Sequence, residues 1–97
     1  MKRIKNIHPG EILKEEFLDP MGISIYKLSQ ATGLTQTRLG RIIHGKQGIS
    51  AESALKLGKF FGVPPQFWLN LQNLFDLEEA DRKHCKELIT IHPLSAS

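Results

Sequence analysis

The sequence predicts an all-α fold, and three observations carry that expectation. Apolar residues recur at spacings of three and four, as in Ala54, Leu57, Gly58 and Phe61, where a helix gathers them on one face. Hydroxyl residues suited to cap a helix start alternate with glycines suited to end one: Ser24 with Gly33, Thr35 with Gly45, Ser50 with Gly62. No stretch alternates apolar and polar residues for long enough to make a sheet. At 97 residues the chain suits one small core rather than two.

Taken in order, the elements number five. "HPGEILKEEFLDP" opens with Pro9, suited to a first helical turn, and with Glu11, whose charge favours an N-terminus. This first helix is expected to end before Pro20. The second is capped by Ser24, turns Ile25 and Leu28 inward and stops at Gly33. The third runs from Thr35 to His44, where Gly45 ends it. Ser50 caps the fourth, which Gly62 and Pro64 close. The fifth, "QFWLNLQNLFDLEEA", carries two adjacent apolar stripes, Phe67, Leu71, Leu74 and Trp68, Leu71, Phe75. That face is too wide for one contact: it is either deeply buried or divided between the core and a partner, and the divided case makes Phe67, Trp68, Leu71, Leu74 and Phe75 the expected contacts of a homodimer. Glu78 to Glu87 is expected to continue as an exposed helix, and "ITIHPLSAS" to be extended or disordered. The expected division is therefore a domain over 1–77 and a charged C-terminal extension over 78–97.

Charge narrows the function classes. From Lys27 to Lys59 the bases Lys27, Arg38, Arg41, Lys46, Lys56 and Lys59 face the single acid Glu52, a local net charge of +5, whereas Phe60 to Ser97 is net −2. A concentrated positive field attracts polyanions. No apolar run approaches the roughly 18 residues of a membrane span, and the basic start lacks the apolar core of a secretory signal. A cytoplasmic protein is expected, in keeping with a lone Cys85 that has no partner for a disulfide.

At 100° per residue, Leu39, Ile42 and Ile43 share one arc of the third helix, opposite Thr37, Arg41 and His44, with Gln36 and Arg38 at the sides. The inward arc, the small Ser29, the turn at Gly33 and the plug Leu34 read as a helix-turn-helix over about 24–46. Its outward face has no acid, and its Gln, Thr, Arg and His side chains can pair with base edges in a major groove. Gly40 costs an exposed helix about 1 kcal/mol against alanine. It leaves room either for DNA or for a neighbouring helix. The caps Ser24 and Thr35 leave backbone N–H groups where phosphates dock, and Lys27 and Lys46 add charge. The expected DNA-binding set is thus Ser24, Lys27, Thr35, Gln36, Thr37, Arg38, Gly40, Arg41, His44 and Lys46.

Four segments together resemble the HigA/VapI type of antitoxin, a branch of the phage-repressor-like (XRE, Cro/C1-type) helix-turn-helix regulators. They are "HPGEIL", "SIYKLSQATGLTQTRLGRIIHGK", "GISAESALKLGKFFG" and "FWLNLQNLFDL", which span about Ile7 to Leu77. The resemblance implies a compact five-helix repressor-like domain that dimerises and binds an inverted repeat in double-stranded operator DNA. It also implies repression of its own operon and neutralisation of a HigB-like, mRNA-cleaving toxin. By position, Gln36, Thr37 and Arg41 match base-facing residues, Thr35 the cap near phosphate, and Arg38 lies beside them. Ile25 stands where phage repressors often carry Gln, and Ser29 where they carry Ala.

Other classes fit the residues less well. His8, His44, His84 and His92 converge with no nucleophile by recognisable spacing, so no enzyme is expected. Cys85 with His84 and His92 matches no usual zinc spacing, and neither metal nor cofactor is expected. A free-standing repressor without a toxin shares the same DNA face and stands as the alternative. A protein-interaction module is the third reading, separable by whether the chain retards any DNA fragment.

Overall fold

The computed structural model describes residues 4–95, and over these it contains five helices and no strand. Helix α1 spans 9–21; it is α-helical over Pro9–Ile12, π-helical over Leu13–Leu18 and α-helical again over Asp19–Met21. Helices α2 (Ile25–Thr32), α3 (Gln36–Ile43), α4 (Ala51–Phe61) and α5 (Pro65–Leu88) follow. The hydroxyls of Ser24, Thr35 and Ser50 each accept the backbone N–H three residues on. These are the caps that the sequence marks.

Two features of α1 depart from expectation. The helix does not stop before Pro20. Proline in an α-helix collides with the carbonyl four residues back, but here the turn ahead of it widens into π register, and the Asp19 N–H reaches back to the Lys14 carbonyl. The chain passes through Pro20 and ends its helix at Gly22, φ 64°. The second feature is the start. His8, buried at 8% exposure, caps α1: its Nδ1 accepts the Gly10 N–H at 2.9 Å, while the Glu11 carboxylate accepts the His8 N–H at 3.0 Å. This is a capping box with imidazole in place of a hydroxyl.

An imidazole that accepts at Nδ1 while its other face is buried cannot take a proton freely, and burial pushes the His8 pKa below its ordinary 6.5 against the pull of Glu11 and Asp76. The unfolded chain then binds the extra proton first, so stability is complete above about pH 6.5 and declines as pH falls from there toward the lowered folded value. In thermal melts the wild type should lose stability between pH 7 and pH 5 faster than His8→Asn, whose side chain caps without titrating. Parallel pH profiles would contradict this role.

The core is built from Leu13, Leu28, Leu34, Leu39, Ile42 and Leu57, all at most 1% exposed, with Trp68 at 0%. Phe17 of α1 lies 4.9 Å from both Phe61 and Trp68, ring centre to ring centre. The sequence leaves Trp68 as core or dimer contact, and the structure puts it in the core of the protomer. It is a core residue with no surface left for a second chain, because α5 lays it between α1 and the end of α4. Phe75 is half-buried and meets the His8 ring edge-on at 4.8 Å. Phe67 and Leu71 are also half-buried against the core, leaving Leu74, 66% exposed, as the open member of the expected dimer set.

Helix α5 carries the chain across the division expected between 77 and 78 without a break, and departs from helical angles only at His84. Beyond it, Ile91–Pro93 are non-helical and Leu94 and Ser95 form a turn. The last two residues of the tail expected to be extended or disordered, Ala96 and Ser97, lie outside the described residues. Among the described residues no helix is long and apolar enough to cross a membrane.

Candidate nucleic-acid interface

Helices α2 and α3 are locked at a fixed angle by their turn. Gly33 takes φ 80°, a left-handed conformation open to glycine at no steric cost, and its N–H donates to the Ser29 carbonyl at 2.8 Å. Thr32 adds a staple, donating its hydroxyl to the Leu28 carbonyl and accepting the Leu34 N–H. Leu34 is 1% exposed beneath the turn.

With the angle set, α3 divides as its periodicity predicts. Leu39 and Ile42 are fully buried, while Gln36, Thr37, Arg41 and His44 are exposed. Ser24, Lys27, Thr35 and Lys46 are exposed as well, and Arg38 and Gly40 are half-buried. Thr37, Gly40, Arg41, His44 and Lys46 line one shallow concavity of about 330 Å³. A Cβ placed on Gly40 would meet nothing within 4 Å. No neighbouring helix of this chain therefore needs the space, and it opens outward. Gly40→Ala should raise thermal stability, by up to about 1 kcal/mol, while weakening duplex DNA binding in an anisotropy titration. Undiminished binding would show that the space serves no ligand.

The charged side chains differ in their freedom. Arg38 donates to Glu52 at the start of α4, 3.2 Å away, and Lys56 donates to the same carboxylate at 2.8 Å. These bonds, that from Lys56 first, hold the Glu52 carboxyl below the ordinary carboxylate range. Arg38 thereby braces α3 against α4 and brings less free charge than the sequence suggests. His44 Nδ1 lies 2.7 Å from the Gly40 carbonyl. A carbonyl can only accept, so Nδ1 carries the hydrogen and the neutral ring offers Nε2 as an acceptor. Arg41 donates Nε–H to the Gln47 side chain at 3.2 Å, and among the described residues its terminal nitrogens make no hydrogen bond.

Sequence reasoning missed two residues next to this face. His8 caps α1, and its ring lies against Gly45 at the end of α3, where a Cβ would sit 3.8 Å away. Its signal was the capping-box spacing of His8 and Glu11 around Pro9. Gln47 is the other, a polar residue between two glycines in "HGKQG" with no periodicity to mark it.

Comparison with known proteins agrees with this geometry. Residues 13–68 match the family model described as "Helix-turn-helix". Virulence-associated protein I of Dichelobacter nodosus is 43% identical over 89 residues, which cover 92% of this chain and 82% of that one. Antitoxin HigA-1 of Vibrio cholerae is 38% identical over 88 residues, covering 91% and 83%. Among solved structures, the Pseudomonas aeruginosa antitoxin HigA with the higBA promoter superposes with a TM-score of 0.87 at 38% identity, covering 93% of this chain and 99% of that one.

Proposed function

Because this chain belongs to the HigA/VapI branch of the XRE-type helix-turn-helix family, we propose that it is the DNA-binding antitoxin of a type II toxin–antitoxin module. As such it works in the cytoplasm, represses its own operon and neutralises a HigB-like, mRNA-cleaving toxin. One observation carries the DNA-binding part. Helix α3 exposes Gln36, Thr37, Arg41 and His44 around an open Gly40 while burying Leu39 and Ile42. That surface has the shape of a recognition helix with donors and acceptors for base edges. Thr35, Ser24, Lys27 and Lys46 flank it as phosphate contacts, which fix register without reading sequence. The similarity to an antitoxin solved with promoter DNA supports the same reading.

The chain acts as a homodimer. Support comes from a largely apolar groove of about 710 Å³ along α5 from Leu74 to Leu88 and on to Ile91 beyond it, where Leu74, Leu77, Ala80, Leu88 and Ile91 are edged by Glu78, Asp81, His84 and Glu87. The proposed contact is centred on the exposed Leu74 and the residues beyond it, with the half-buried Phe67 and Leu71 at its edge. A symmetric pair sets its two recognition helices about 34 Å apart and reads an inverted repeat.

The test is an anisotropy titration on promoter fragments across a salt series. Two protomers should bind each inverted repeat, with log affinity falling by about 0.9 per tenfold salt for each phosphate contacted. Arg41→Ala should relax choice at one base pair at a cost of roughly 1 to 3 kcal/mol. If no fragment is bound even at low salt, the face serves a protein partner instead. Co-purification with the product of the neighbouring gene tests the toxin; an isolated gene with no such partner would make the chain a free-standing repressor.

A further inference from the structure

The loop between α3 and α4 is held from both sides. On one side it folds back onto the recognition helix. The Lys46 N–H donates to the Arg41 carbonyl at 2.8 Å, and the Gln47 amide oxygen accepts Arg41 Nε–H. On the other side it is fastened to α5, where Gln72 accepts the Ile49 N–H at 2.7 Å and donates its own amide to Asp76 at 2.9 Å. The fit there is close. A Cβ on Gly48 would lie 3.0 Å from three atoms of the Gln72 amide, so glycine is what allows that amide to lie over the loop. Ile49 itself is 4% exposed and anchored in the core.

Gln47 therefore sits between two fixed points, with the Arg41 carbonyl bonded just before it and Ile49 pinned just after. We propose that Gln47 is a specificity-determining positioning residue, which holds the Arg41 guanidinium by Nε so that its terminal nitrogens face a base edge as a fixed pair. The inference rests on the reading of Arg41 as a base-contacting residue. A free arginine on an exposed helix samples many rotamers, and each must be given up on binding. Holding Nε beforehand reduces that cost for the one orientation that presents both terminal nitrogens to a guanine. A phosphate, reachable from many directions, gains little from it. The effect should consequently fall on discrimination and not on affinity at large.

A double-mutant cycle separates this role from general support of the loop. The probes are a duplex carrying the inverted repeat selected by the wild-type chain from random sequence, its single-base-pair variants, and a scrambled duplex of equal length. Gln47→Ala should lower discrimination at the base pair relaxed by Arg41→Ala, by about three- to tenfold, as expected for one hydrogen bond. Affinity for the scrambled duplex and the salt slope should stay unchanged. With Arg41 already replaced by Ala, Gln47→Ala should change discrimination no further, and Gln47→Glu, which keeps an acceptor, should restore the ratio. The proposal is overturned if Arg41→Ala relaxes one base pair but Gln47→Ala does not, or if the Gln47→Ala effect persists without Arg41. Should Arg41→Ala relax no base pair, the reading of Arg41 itself fails, and this role of Gln47 with it.

Discussion

Gly10→Ala should cost about 3 kcal/mol or more and abolish the proposed operator binding. A Cβ at this position would lie 1.8 Å from the Ile42 carbonyl oxygen, 2.7 Å from its carbon and 3.0 Å from the Ile43 Cα. All three are backbone atoms of α3, so no rotamer change relieves the clash and α1 must back away from it. The same movement pulls His8 from Gly45 and strains the cap that His8 Nδ1 makes on the Gly10 N–H. For a chain of this length the melting temperature should fall by roughly 12 °C or more. Gly40→Ala is the matched control for stability alone, since its added methyl meets open space. A Gly10→Ala protein that melts within a few degrees of wild type and still binds its operator would mean that the two helices do not approach so closely.

The exposed face of α3 was legible in the sequence because it depends on local rules. Helical periodicity alone separates Leu39 and Ile42 from Thr37, Arg41 and His44, and a hydroxyl before the starts of α2, α3 and α4 foretells the bonds that Ser24, Thr35 and Ser50 make. What was not legible depends on contacts between distant segments. Pro20 reads as a stop because its ring opposes an α-helical carbonyl; the π register over Leu13–Leu18 that precedes it, where Leu13 and Leu18 are buried, has no mark in the local pattern. Gln72 is polar within the apolar series Trp68, Leu71, Phe75, an oddity that only its bond to Ile49, 23 residues away, explains. Arg38 reads as a free cation until Glu52 is found across the helix boundary. Periodicity also cannot say which of two adjacent stripes faces inward, and for α5 that choice separates a core residue from a proposed dimer contact.

Trp68 decides that last point by experiment. Truncating a fully buried tryptophan to alanine costs about 3 to 5 kcal/mol, and here the loss should appear as lower stability of each protomer at every protein concentration. The side chain packs on Phe17, Phe61 and Phe67, and among the described residues its Nε1 has no hydrogen-bond partner. An unpaired buried donor costs about 1 to 3 kcal/mol. Trp68→Phe, which removes that donor along with some volume, should therefore be much milder than Trp68→Ala. As the chain contains one tryptophan, its emission reports this site alone. It should be blue-shifted and stay so on dilution through the dissociation of the proposed dimer, whereas Leu74→Asp should weaken the proposed association and leave the emission unchanged. A red shift on dilution would return Trp68 to the interface, and would require α5 to pack on its own protomer through a different stripe.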